Sequence, residues 1–480
     1  MKAAAPSTGN MKDTDTEELY LDCDLPREDT VLPLHTSIVL FLMSYCDCKT
    51  FTTFLVVPED DHRIPQQGLF PSKLDVSIIF RKDLPAIAQS CRLPAVIEAS
   101  GAFCRAGLAV VLRHIIQKTH SADPSRKDVL ELLGFKKTCL KACAEVALQK
   151  VSPEKIYGLP LLMGWYDRVL QVQGVQKAAA ASNISFLHFV KVDSQHQEPP
   201  ASTKIDPEEK EFPESHFLGG PRPTMSKLKN HGVEAVFSPH PCPSQNIDWG
   251  SLPAAVSPSE GKMSSDRAVR KQQQLNNLLS VVTNMAKPGD TIVDFCSGGG
   301  HVGIVLAYML PSCQIVLIEN KEESLIRARD RSNGLGLTNI WFIQANLDYF
   351  TGKFNIGVAL HACGVATDMV IEHCIIARAA FVICPCCYGF IQNTVKTTFP
   401  RSCRFQNVLS YKEHMVLCRF ADQTAVQLPP ERRLIGKNCM GLVDLDRAWA
   451  AEQYGYKAQV ISMEPESCSP KNNFIVGSPI

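Results

Sequence analysis

The stretch T-I-V-D-F-C-S-G-G-G-H-V-G, residues 291–303, decides the fold. An apolar, β-type run from Thr291 to Val293 ends in Asp294, and a glycine cluster follows at once. The next residues, His301 to Leu310, read as a buried helix. Strand, glycine turn and helix in that order let a backbone approach a nucleotide-like ligand. Gly298, Gly300 and Gly303 satisfy G-x-G-x-x-G, a pattern that is weak alone because glycine pairs also simply make turns. The flanks add weight. Lys287-Pro-Gly-Asp290 places a turn before the strand, and a second strand, Gln314 to Ile318, ends in Glu319. That carboxylate stands about twenty residues beyond the first glycine, where a ribose-binding acid belongs. It would accept hydrogen bonds from both ribose hydroxyls. A third strand, Ile340 to Ile343, precedes Asn346, whose amide would meet the edge of an adenine.

Two cofactor classes fit such a crevice: nicotinamide dinucleotides and S-adenosylmethionine. Asp294 favours the second. An acid at the end of the first strand suits the amino group and sulfonium of S-adenosylmethionine, whereas a pyrophosphate would be repelled. Against both stands a fold that keeps its glycines for turn geometry alone.

Two further strands extend the pattern. Phe354 to Leu360 leads into His361-Ala-Cys-Gly-Val-Ala-Thr-Asp368, and Ala380 to Cys384 leads into Pro385-Cys-Cys-Tyr-Gly389. A helical segment, Leu442 to Tyr454, is followed by the runs Lys457 to Met463 and Asn473 to Gly477. Strands alternating with helices, then an antiparallel hairpin at the edge, predict an α/β, Rossmann-like doubly wound sheet.

The motifs D-F-C-S-G-G-G-H, H-A-C-G-V-A-T-D and C-C-Y-G together resemble those of class I S-adenosylmethionine-dependent methyltransferases. The tRNA 2′-O-methyltransferases carry the last two in similar form. S-P-H-P-C-P (238–243), G-K-M-S-S-D-R-A-V-R-K-Q-Q-Q-L-N-N (261–277) and S-P-K-N-N (469–473) resemble the glutathione S-transferase C-terminal domain-containing family, over residues 30–146 and 157–480. The resemblance implies S-adenosylmethionine as cofactor, bound by Asp294, Cys296, Gly298, Gly300, Glu319 and Asn346. By analogy it favours an RNA substrate.

At 480 residues, two domains and a linker are expected. Lys plus Arg equals Asp plus Glu, 49 each, so no general electrostatic pull toward nucleic acid follows. Lys262, Arg267, Arg270 and Lys271 form a local basic cluster, read either as a solvated helix face or as an RNA contact. Nineteen cysteines in a long chain whose start lacks an apolar signal segment do not form a disulfide framework. The expected setting is a reducing, cytoplasmic one. No apolar run is long enough to span a membrane.

The N-terminal region reads differently. Residues 1–30 are polar and expected to be loose. Residues 31–190 are expected to form one module. In it Leu34 to Ser44 and Ala106 to Lys118 read as helices, and Phe54 to Val57 and Val76 to Phe80 as strands. This order resembles the thioredoxin-like half of glutathione S-transferases (about 31–118). Pro94 stands where that family keeps a cis-proline, and a shortened helical half follows (about 119–190). Cys104-Arg105 occupies the place of the family's glutathione-binding pair, and Cys46 and Cys48 are one residue too close for a C-x-x-C redox pair. The module is therefore expected to dock a protein partner; a glutathione-dependent transferase is the lesser alternative. Residues 191–217, rich in Pro, Glu, Ser and Lys, read as a flexible linker. Residues 218–480 form the methyltransferase domain, the first part wrapping the sheet. The oligomeric state is open.

Ligands of open α/β sheets lie beyond the carboxyl ends of the strands. That places His361, Cys363, Cys386, Cys387 and Tyr388 on the acceptor side. His361 is the candidate base, Cys386 a candidate nucleophile, and Tyr388 a platform on which an RNA base would stack. His361 reads equally as a hydrogen-bonded core histidine, and the cysteines as pocket-shaping side chains. A metal held by His361, Cys363, Cys386 and Cys387 has acceptable ligand types, but the spacing matches no standard zinc motif, so no metal is expected. The whole chain can also be read as a non-catalytic adaptor.

Overall fold

The computed structural model describes residues 16–23, 32–58, 75–133, 220–243, 246–258 and 264–480. The expected linker 191–217 and most of the shortened helical half fall outside these residues. The chain divides into two compact units. One comprises Met1–Lys191 with Ile343–Gly352; the other comprises Val192–Phe342 with Lys353–Ile480.

The first unit contains β1 (Glu17–Asp22), α1 (Leu34–Cys46), β2 (Phe51–Val57), β3 (Val76–Phe80), β4 (Ala95–Ile97), β5 (Phe103–Ala106) and α2 (Leu108–Ala122). Their strands run in the order β5-β4-β1-β2-β3. β1 and β2 are parallel, as are β2 and β3, while β4 runs antiparallel to both β1 and β5. The Leu93–Pro94 peptide bond is cis. Helix α1 and helix α2 pack their Val39, Met43, Val111 and Ile115 against Leu19, Leu21, Leu55 and Val96 of the sheet. Each such side chain contributes roughly 1.5–3 kcal/mol on burial.

Strand β1 corrects the expectation that residues 1–30 are loose. Glu17 to Asp22 pairs with β2 on one side and β4 on the other. Acidic residues at both ends hid the strand. Glu17 is itself buried, but His114 lies 2.5 Å from its Oε2 and Lys118 2.7 Å from its Oε1. These partners hold its carboxyl down at about 2 against the opposing effect of burial. His114, a polar residue on the buried face of α2, thus makes a buried Glu17 tolerable.

In the second unit α3 (Ser265–Met285) precedes β6 (Thr291–Phe295), α4 (His301–Met309), β7 (Gln314–Glu319), α5 (Glu322–Gly334), β8 (Ile340–Gln344, its last two residues grouped with the first unit), β9 (Ile356–Ala362), α6 (Ala366–Ala377) and β10 (Ala380–Pro385). Then follow α7 (Tyr411–Ala421), α8 (Pro430–Glu452), β11 (Tyr456–Ser462) and β12 (Asn473–Pro479). Strand order is β11-β12-β10-β9-β6-β7-β8. β6, β7, β9 and β10 are parallel, and β12 is antiparallel to both β10 and β11. This is the doubly wound sheet with an edge hairpin. The order reverses between β6 and β9, so their carboxyl ends form the switch point at which such sheets bind ligands.

Helix α8 begins twelve residues earlier than its apolar pattern suggests, at Pro430. Its inward face carries Asp444, Asp446 and Arg447, all buried, and these charges masked the periodicity. Arg447 bonds Asp368 through two nitrogens, at 2.8 and 3.2 Å, and donates to the Gly364 carbonyl at 3.0 Å. The network ties α8 to the turn after β9. Among the described residues no helix is long and apolar enough to cross a membrane.

Candidate functional site

The glycine turn leaves β6 through Cys296, which takes a left-handed conformation (φ 55°) rarely adopted outside glycine, and through Gly298 (φ 54°) and Gly300 (φ 75°). A Cβ on Gly298 would meet nothing within 4 Å, whereas one on Gly300 would come within 2.9 Å of Leu317 and Ala328. Gly298 therefore borders open space; Gly300 lets the turn seat on the sheet. Arg331 of α5 holds the turn from behind by donating to the Gly299 carbonyl at 3.1 Å.

Asp294 is 1% exposed, and its Oδ2 accepts from the Gly303 amide at 3.0 Å. Burial raises its carboxyl to about 7, Gly303 and Lys271 pulling it back and Glu319 adding to the rise. Glu319, at the end of β7, accepts from the Gly298 amide through Oε2 at 3.0 Å. Its Oε1 accepts from the amides of Asn320 and Lys321, each at 3.0 Å. A carboxylate offers about four lone-pair directions, so one on Oε2 remains for a ligand hydroxyl. The sequence expectation of two ribose bonds to this acid is reduced to one unless a turn amide lets go. Two buried polar atoms of the turn, Ser297 Oγ and His301 Nδ1, have no hydrogen-bond partner. Unpaired donors and acceptors around an open glycine turn fit a polar ligand such as a nucleoside.

Lys271 reaches this end of the sheet from α3. Its Nζ lies 3.2 Å from His361 Nε2, so the ammonium donates to a neutral imidazole. Sequence reading grouped Lys271 with exposed basic residues, but only Arg267 and Arg270 are exposed; Lys262 lies outside the described residues. Crowding of the ring and the Lys271 charge push His361 down to about 4. Although exposed to solvent at one edge, His361 is thus a weak base with its Nε2 lone pair already engaged, which weakens its expected role. His301 is likewise held at about 4, first by burial and then by Lys271, Arg331 and His361.

Cys363 follows β9, and Cys386 and Cys387 follow β10. The three thiol sulfurs lie within 4.8 Å of one another. Burial and its two cysteine neighbours raise the Cys386 thiol far above its ordinary value, which disfavours the free thiolate a nucleophile needs. Tyr388 is a clear correction. It is 0% exposed, its hydroxyl donates to Asp444 at 2.7 Å, and Lys471 and Arg447 cover the ring. An aromatic residue beside a candidate pocket looks like a stacking platform, yet this one is a core side chain of the α8 network. Asn346 follows β8 and accepts from the Tyr349 amide through its carbonyl; it falls in the segment grouped with the first unit. Lys271 is the functional candidate that sequence analysis assigned no role at the site.

A family model for a methyltransferase domain matches residues 270–394, which run from α3 through β10 into the segment beyond Tyr388. The glutathione S-transferase C-terminal domain-containing protein of Xenopus laevis is 54% identical, over 97% of this chain and 100% of its own. The Homo sapiens protein of that name is 50% identical, over 97% and 99%. The chain belongs to this family. The glutathione S-transferase C-terminal domain-containing proteins also include a Drosophila melanogaster homolog, 47% identical over 50% of this chain and 42% of its own. The alignment to the Xenopus laevis member spans 615 positions, more than the 480 residues here, so that member carries segments this chain does not. Among solved structures, a SAM-dependent methyltransferase from Aquifex aeolicus aligns with 45% of this chain and 98% of its own, at 15% identity and a TM-score of 0.25. A likeness that slight bears on neither fold nor chemistry.

Proposed function

We propose that this chain is a methyltransferase that uses S-adenosylmethionine, with RNA as the acceptor class. The observation that carries the reading is the arrangement of Asp294, Gly298 and Glu319 at the β6–β9 switch point. Gly298 offers open backbone, Glu319 keeps one acceptor direction for a ribose hydroxyl, and buried Asp294 provides a negative charge for a cation. The donor supplies an electrophilic methyl group on a sulfonium; the protein aligns donor and acceptor and excludes water. Asp294 holds the cationic end, and Lys271 keeps His361 neutral and oriented. Cys296 completes the expected cofactor contacts within this unit. The exposed Arg267 and Arg270 on α3, one to four residues from Lys271, favour a polyanionic acceptor.

The first unit is read as a thioredoxin-like, glutathione-transferase-like docking module for a protein partner. Its β5-β4-β1-β2 order, with β4 antiparallel to β1, supports that reading. Glutathione chemistry is disfavoured because Arg105 is buried in an ion pair with Glu98 at 2.9 Å and Cys104 is 0% exposed.

Isothermal titration of the full chain with S-adenosylmethionine tests the donor. Saturable binding that is lost in Glu319→Ala is expected; no binding, or binding unchanged in that variant, would sink the reading. Labelling of RNA and protein with tritiated donor then separates acceptors, and label confined to protein would overturn the RNA assignment.

A further inference from the structure

Parallel pairing of β9 and β10 brings Ala362 opposite Pro385, so both strands deliver the next residues to one place. The Gly364 amide donates to the Cys387 carbonyl at 2.9 Å and locks the two turns together. Behind them Asp422 accepts from the amides of Tyr388 and Gly389 at 3.1 and 2.7 Å and pairs with Lys471 at 2.8 Å. This frame holds three thiols, with Cys386 Sγ 3.6 Å from Cys387 Sγ and all three sulfurs within 4.8 Å.

We propose that Cys363, Cys386 and Cys387 bind a thiophilic divalent ion of the zinc type. Zinc–sulfur bonds of about 2.3 Å in a tetrahedron put neighbouring sulfurs about 3.8 Å apart, close to the spacing found. A disulfide needs about 2.05 Å between sulfurs. The sequence offers these thiols as ligand types without a standard zinc spacing; the pairing of β9 with β10 is what assembles them. His361 is not a member of the cluster, and its Nε2 faces Lys271.

Three protein ligands leave one coordination position open, and Cys363 is solvent-exposed. Structural zinc sites are closed by four ligands, whereas a site with three keeps a place for water or a substrate atom. Cys363 follows β9 and Cys296 follows β6, and these two strands pair in parallel, so the cluster stands at the same carboxyl end of the sheet as the glycine turn. The open position therefore lies beside the proposed donor crevice. Binding of the ion stands independently of the donor reading.

Metal analysis of the purified full chain by mass spectrometry tests the site. About one zinc per chain is expected. Cys363→Ser, Cys386→Ser and Cys387→Ser should each lower zinc content severalfold, while Cys403→Ser, an exposed thiol outside the cluster, should keep it. Substitution of cobalt into the unaltered chain gives a reading that needs no variant: thiolate-to-cobalt charge-transfer absorption with tetrahedral visible bands is expected. A chain that takes up neither ion, zinc retained in all three variants, or a disulfide among these cysteines in the protein prepared under reducing conditions would overturn the proposal.

Discussion

Gly298 donates its amide hydrogen to Glu319 Oε2 at 3.0 Å, so the acid at the end of β7 also fastens the turn after β6. Glu319→Ala removes the fastening and the proposed ligand contact together. The expected result is a loss of donor affinity of tenfold or more, since a charge-assisted hydrogen bond contributes about 1.5–3 kcal/mol. Titration calorimetry reads the affinity, and circular dichroism checks that the sheet persists.

If Asp294 receives the cationic end of the proposed donor, donor binding should depend on pH. Its folded carboxyl sits at about 7, above the ordinary 3.8. The stability it lends is fully present below pH 3.8 and is lost as pH rises toward 7. A cationic ligand reverses that balance by favouring the carboxylate. The increase in Tm caused by S-adenosylmethionine should therefore be larger at pH 8 than at pH 6. Lys271→Met should shift the midpoint upward, because Lys271 draws the Asp294 value down. Differential scanning fluorimetry across pH checks both.

Gly303 lies against the sheet so closely that a Cβ there would stand 2.4 Å from Leu317 Cδ1 and 3.2 Å from Asp294 Oδ2. Leu317 is buried and cannot retreat. Gly303→Ala should cost about 1–3 kcal/mol, the usual cost of overpacking, measured by urea unfolding of the full chain.

Tyr388→Phe separates core from site. Loss of the bond to Asp444 leaves a buried carboxylate less satisfied, and about 1–3 kcal/mol of stability should go with it. Donor affinity should stay within twofold of the unaltered chain. A large fall in methylation of RNA, with stability and donor affinity unchanged, would restore Tyr388 to the acceptor side.

Glu17→Gln tests the first unit. The depressed Glu17 value means that its stabilisation is present above about pH 4.5 and is lost as pH falls toward 2. The substitution should cost about 2 kcal/mol at pH 7, less than the full effect because Lys118 is partly exposed. It should cost about half as much or less at pH 3, where the stabilisation is only partly lost. Unfolding followed at both pH values decides it.

The second unit was legible where periodicity and chemistry agreed. The run Thr291–Asp294, the acid Glu319 and the closing hairpin all carry local signals that packing does not override. It was illegible where buried charge replaced apolar residues, as with Asp444 and Arg447 on α8, because a charged position reads as solvent-facing until its partner is known. The same cause hid β1 behind Glu17. Tyr388 and Lys271 exchanged their expected places: tertiary packing drew the aromatic into the core and turned the lysine from a surface cluster toward Asp294. Neither direction is encoded within a window of neighbouring residues. Cys363, Cys386 and Cys387 were legible as metal-ligand types on one side of the crevice, but no metal was expected from their spacing, because strand adjacency rather than spacing brings the three thiols together.

β1 also sets a limit on how much of the amino terminus can be spared. It is the strand between β2 and β4. Translation beginning at the first methionine beyond it, Met43, would delete the strand and nine of the thirteen residues of α1. Two backbone edges, normally joined through β1, would then face solvent with their amides and carbonyls unpaired. Exposed edges of that kind recruit other chains. A shortened product of this sort would be expected in aggregates, its second unit keeping the glycine turn intact.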